Sequence, residues 1–141
     1  MPDGSGLRGV YEGIISAVGA DDAVALEGLI AADVIDHMPV PGQPGGREGF
    51  IFWMHSMHAA FPDMTGAISD AVVEGDKIAG RVLWTGTHEG EFLGLPATGR
   101  PVAITAMHLV RFRGGVAVEW WGAADLLGAA MSLNARLEPP L

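Results

Sequence analysis

A chain of 141 residues, 49% apolar and 18% charged, is long and apolar enough for one buried core and too apolar to be disordered. Its formal net charge of −9 repels phosphate backbones and anionic lipid, so neither nucleic acid nor a membrane surface is expected as a partner. With no cysteine, disulfides, thiolate nucleophiles and cysteine metal sites are excluded.

The N-terminal segment lacks the basic start of a secretory signal, and Tyr11 and Glu12 interrupt its apolar stretch. No apolar run approaches the roughly 20 residues of a membrane span. The expected location is cytoplasmic. No repeat or low-complexity tract divides the chain, which reads as a single domain over 1–141 with a linker-like tail from Leu137 to Leu141.

Leu7, Val10, Tyr11, Ile14, Ile15 and Val18 recur at the spacing of an amphipathic helix, which Gly19 stops. Asp21 or Asp22 suits the N-cap of a short second helix that carries Leu26, Leu29 and Ile30 inward. Met38 to Gly46 is a Pro- and Gly-rich loop. A third helix spans about Arg47 to Phe61, with Phe50, Trp53, Met54, Met57 and Phe61 on one bulky stripe, and Pro62 ends it.

After Pro62 the period drops from about 3.6 to 2. Met64 to Glu74 is a weak strand, followed by a turn at Gly75-Asp76. Ile78, Val82, Trp84 and His88 alternate on the next strand, and Val102, Ile104, His108, Val110 and Phe112 on another. Beyond the turn at Gly114-Gly115, Val116, Val118 and Trp120 begin a last strand. Helices followed by strands on short turns predict an α+β domain with an antiparallel sheet. The opposite sheet face, with Ala79, Leu83, Ala103, Met107 and Leu109, is also apolar, which predicts a homodimer.

Each histidine has a plain structural alternative to a functional role. His55 and His58 are three apart, a poor zinc spacing, with His55 on the surface and His58 at the edge of the apolar stripe. His88 and His108 fall on the apolar sides of their strands, as core residues or as polar groups aimed into an apolar cavity. His37 precedes the Pro-rich loop, within reach of a cavity mouth.

Asp3, Asp21, Asp22, Asp76 and Glu138 sit at ends or turns and are read as solvated, whereas Asp125 is the only charge in the run from Trp120 to Met131. It either caps a C-terminal helix or lies desolvated in a cavity, where burial would favour its neutral form and suit it to proton transfer. The residues alone leave the two about even; the isolation of Asp125 makes its projection into a cavity near His108 or His88 the expectation to test. No GxSxG, P-loop or GxGxxG is present, so enzymatic chemistry here would be proton transfer.

Asp36-His37-Met38-Pro39, Phe61-Pro62-Asp63, the run GTHEGEFLGLPATGR from Gly86 to Arg100, RFRGG from Arg111 to Gly115 and WWGAADLLG resemble SnoaL-like polyketide cyclases. These belong to the nuclear-transport-factor-2-like superfamily. The resemblance covers about His37 to Met131. It implies a cone of three N-terminal helices on a curved antiparallel sheet enclosing a pocket, with a short C-terminal helix. It further implies cofactor-independent intramolecular aldol closure of a small, apolar or aromatic polyketide-like substrate. In that scheme the carboxylate matching Asp125 moves the proton, with His108 and His88 beside it. The resemblance also turns His37 toward the pocket; from the residues themselves, Phe50, Trp53, Met54 and Met57 are expected to line or floor the cavity, with His58, Trp84 and Trp120 also against the substrate. No cofactor and no metal are implied.

The chain departs from the family pattern in having Glu119-Trp120-Trp121 where many relatives have Glu-His-Trp, and in the small Ala123 and Ala124. The same fold hosts isomerases, hydrolases and non-catalytic binding proteins, which remain alternatives.

Overall fold

The computed structural model describes residues 5–134; the tail from Leu137 to Leu141, Asp3 and Glu138 lie outside the described residues. Helix α1, Ser5–Gly19, buries Tyr11, Ile14, Ile15 and Val18 along the stripe its spacing predicts. Asp22 caps α2, Ala23–Glu27, its carboxylate accepting the Ala25 N–H at 3.0 Å. Such a cap is worth about 1 kcal/mol. The helix buries Leu26 but ends at Gly28. Ile30 therefore does not belong to its inward face; it opens strand β1, Ile30–Asp36.

Helix α3, Gly46–Ala60, stops at Phe61 with Pro62 behind it. Strands β2 (Thr65–Glu74), β3 (Lys77–Thr87), β4 (Pro101–Arg113) and β5 (Val116–Ala124) then form an antiparallel meander, followed by helix α4, Leu126–Ser132. Gly114 and Gly115 both have positive φ, +59° and +82°, as a tight hairpin between β4 and β5 requires.

The sheet order is β1-β5-β4-β3-β2, and β1 lies parallel to β5. The expectation of a wholly antiparallel sheet is corrected at that edge. The cause is legible in β1: only Ile30 and Val34 are buried, four residues apart, so the strand lacks a period-2 signal. Elsewhere the alternation holds. Ile78, Val82 and Trp84 on β3 and Val102, Ile104, Ala106, Val110 and Phe112 on β4 are buried. Leu83, Met107 and Leu109 are exposed on the other face. A register shift between Arg111 and Phe112 adds local twist, and the curved sheet wraps its inner face around α1 and α3.

Candidate functional site

The inner face does not fill completely. A cavity of about 530 Å³ lies between α3, strands β3 to β5, the loop after β1 and the turn at Glu91 to Leu93. Phe50, Trp53 and Met57 of α3, Trp84 of β3 and Trp120 of β5 line it, as expected. Met54, expected beside them, is instead fully buried in the core and not in the wall. The α3 stripe is wide enough to have one edge in the core and the other in the cavity.

His108 is the deep polar group. It projects from β4 between Ala106 and Val110, and its Nδ1 lies 2.8 Å from the hydroxyl of Tyr11, which comes from α1 on the far side. Tyr11 reaches this position because residue 80, opposite His108 in the β3–β4 register, is glycine; a Cβ there would collide with the hydroxyl. Burial pushes the Tyr11 hydroxyl well above its ordinary pKa, so it keeps its proton. Among the described residues its hydrogen-bond partner is His108 Nδ1. Donating that proton to Nδ1 satisfies both groups and puts the ring proton on Nε2. Burial also depresses the His108 pKa to about 4, so the imidazole is neutral at pH 7. The cavity thus receives a neutral ring whose Nε2–H is a fixed donor.

His88 does not join it. The ring is fully buried beneath Phe61 and Phe92 and is absent from the cavity wall. Its Nδ1 holds Thr98, 3.0 Å from the hydroxyl and 3.3 Å from the backbone N–H, while the buried Nε2 has no hydrogen-bond partner among the described residues. The inward direction expected of His88 is right, but past the end of β3 it meets the 88–100 loop rather than the cavity.

His37 is also corrected. Asp36 faces the cavity, so the next side chain points to the outer sheet face, where His37 stacks on Trp121 at 4.3 Å and pairs with Glu119 at 2.8 Å. His58 is absent from the wall; its Nε2 lies 2.6 Å from the Val18 carbonyl oxygen and ties α3 to α1. His55 pairs with Asp21 at the surface.

Asp125 does not project toward His108 or His88. It is exposed, caps α4 by accepting the Gly128 N–H at 2.9 Å, and is not part of the cavity wall, although its neighbours Ala124 and Leu126 are. Trp120, Gly122 and Ala124 face inward, so residue 125 is out of phase with the inward row. Isolation in sequence does not become isolation in space.

Sequence reasoning missed Asp36, whose carboxylate lines the cavity and accepts the Met38 N–H at 2.9 Å and the Gln43 side-chain N–H at 2.8 Å. It also missed Tyr11 as a partner of His108, because a tyrosine on a helical stripe gives no sign of where its hydroxyl ends.

A family model described as SnoaL-like polyketide cyclase matches residues 10–133. IdmH of Streptomyces antibioticus, provisionally designated a polyketide cyclase, is 35% identical with a TM-score of 0.81, over 91% of this chain and 98% of that one. TsrD of Streptomyces laurentii is 26% identical with a TM-score of 0.87, over 96% of this chain and 100% of that one. AclR of Streptomyces galilaeus, provisionally designated a hydroxylase, shares the fold at 23% identity and a TM-score of 0.80, over 94% of this chain and 87% of that one. No curated protein sequence matches the chain. The chain belongs to the SnoaL-like polyketide cyclase family.

Proposed function

We propose that this SnoaL-like protein binds a small, largely apolar, carbonyl-bearing molecule in the cavity and closes it by a cofactor-independent intramolecular aldol reaction. The observation that carries the proposal is the neutral His108, held from behind by Tyr11 and set as a donor in a wall that is mostly aromatic and aliphatic. A donor aimed at a ligand carbonyl polarises it and acidifies the neighbouring C–H. A base then removes that proton, and the C–H electron pair passes into the enolate. The enolate carbon attacks a second carbonyl of the same molecule, forming a C–C bond, and the resulting alkoxide takes the proton back. The aromatic walls hold the two carbons close, the other half of the catalysis.

We assign the proton acceptor to Asp125, which stands between the wall residues Ala124 and Leu126; to serve, its carboxylate must give up the Gly128 N–H that it accepts in this structure and turn inward. Asp36, already in the wall, is the second carboxylate available. Return of the proton to a different carbon would make the same site an isomerase. The exposure of Asp125 favours a second reading, a binding protein without turnover. We place a second copy of the chain on the outer sheet face, where Leu83, Met107 and Leu109 are exposed.

The test is a screen of polycyclic aromatic ketones for binding and turnover, followed by Asp125→Asn and Asp36→Asn. Asp125→Asn is expected to keep binding and lose about 10²–10⁴-fold in turnover. Loss in Asp36→Asn alone would transfer the proton to Asp36. Ligands that bind but are never turned over would leave the binding-protein reading standing instead.

A further inference from the structure

Two carboxylates, Asp36 and Glu91, stand in the cavity wall, and among the described residues no Lys or Arg stands there with them. They belong to opposite ends of helix α3. Asp36 is held near its start: one carboxylate oxygen accepts the side-chain N–H of Gln43, just before the helix, and the other accepts the Met38 N–H. Glu91 is held near its end, because the Glu89 and Gly90 N–H groups both bond the Ala60 carbonyl oxygen. Between them the helix turns Phe50, Trp53 and Met57 into the cavity, and from residue 50 to residue 57 it rises about 10 Å. A ligand lying along that stripe has a carboxylate toward each of its ends. Neither carboxylate makes an ion pair among the described residues. His108 does not supply the missing positive charge, since its Nδ1 already accepts the Tyr11 hydroxyl and a proton added there would break that bond.

We infer that Asp36 and Glu91 are specificity-determining residues that form a charge filter, admitting neutral and cationic carbonyl compounds to the cavity and turning away those with a free carboxylate. The inference deepens the proposed function by naming the charge class of the ligand, and it rests on the cavity being the ligand site. An anion that enters a mostly aromatic and aliphatic cavity loses its hydration and finds no opposite charge in exchange. It also meets two like charges, whose field low-dielectric walls concentrate rather than screen. Asp36 is the stronger element. It is half-buried, and the amides that bond it orient the carboxylate without cancelling its charge. Glu91 is exposed, so water and salt weaken its part.

The test measures binding of three probes of one shape at pH 7 and low salt: 2-acetylnaphthalene, a neutral ketone; 2-naphthoate, an anion; and 2-naphthylmethylamine, a cation. The wild-type protein should prefer the ketone to the acid by on the order of 100-fold. Part of that preference is desolvation, which any apolar cavity imposes, so the filter is read in the variants. Asp36→Asn should narrow the ketone-to-acid ratio about tenfold and Glu91→Gln about threefold, each without a change of side-chain size. The amine should move the other way, losing affinity relative to the ketone in both. Glu48→Gln is the control, because Glu48 is an exposed residue of α3 outside the cavity wall and its loss changes the net charge equally. It should leave the ratio where it was. A ratio unmoved by Asp36→Asn and Glu91→Gln would overturn the filter and leave the cavity as the ligand site, with desolvation alone excluding anions. A ratio moved as far by Glu48→Gln would also overturn it, in favour of the net charge of the whole chain. Failure of the ketone to bind would overturn the cavity and the filter together. Should Asp36→Asn fail to fold, the exposed Glu91→Gln decides.

Discussion

Trp120 and Trp121 are neighbours in sequence and face opposite sides of the sheet, each against a histidine. Inside, Trp120 lies against His108 with ring centroids 4.8 Å apart; outside, Trp121 stacks on His37 at 4.3 Å. The inner histidine is neutral, backed by a tyrosine hydroxyl and turned toward a cavity. The outer one is exposed and paired with Glu119, which also approaches Arg111 at 3.3 Å. The same two residue types therefore make a cavity-facing pair on one face and a solvated, charged cluster on the other. What decides is the parity of a residue in its strand, not its type.

The sharpest way to break that contrast is to truncate both faces of β4. Ile104→Ala removes a side chain that is 3% exposed and should cost about 2–5 kcal/mol by chemical denaturation. Leu109→Ala, at 39% exposed, should cost less than about 1 kcal/mol in a monomer. A comparable cost for Leu109→Ala that grows with protein concentration would show that a second copy covers the outer face, as we propose.

A smaller effect should follow pH. The folded His108 pKa of about 4 lies below its ordinary 6.5, so between those values the unfolded chain binds the extra proton. Stability should be full above about pH 6.5 and fall as pH drops toward 4, with no further change from this group below that. The loss should be at most about 3 kcal/mol, and less by whatever water the cavity admits. His108→Gln should flatten the profile across that window. An unchanged slope in the variant would mean that another group drives the acid response.

The smallest effect belongs to the outer histidine. His37→Ala breaks an exposed pair and should cost about 0–1 kcal/mol, less in high salt. A cost several times larger, insensitive to salt, would mean that the stack on Trp121 is buried by a partner.

Parity also explains how far the sequence could be read. The stripes of α1 and α3 and the period-2 strands β3 and β4 announce themselves, because each buries one regular row of apolar side chains. The aromatic part of the cavity wall follows directly from them. Strand β1 was hidden because its two buried residues suit a helix as well as a strand. The sequence does not place Asp125, because lack of charged neighbours along the chain says nothing about exposure at a strand–helix junction. His37 lies one residue from the cavity, since Asp36 takes the inward position. The link from Tyr11 to His108 joins a helix to a strand far along the chain, and no local pattern encodes it.

The parallel pairing of β1 with β5 sets an order of assembly. A strand from the first third of the chain finds its backbone partner only in the last strand of the sheet, with a helix and three strands between them. Closing so long a loop is entropically costly and slow, so β1 is expected to dock after the β2–β5 meander has formed. On a ribosome, the loop carrying Asp36 and Gln43 cannot take its place until β5 has emerged. The cavity is therefore expected among the last features to form, and a nascent or truncated chain lacking β5 would lack the wall that Trp120, Gly122 and Ala124 supply.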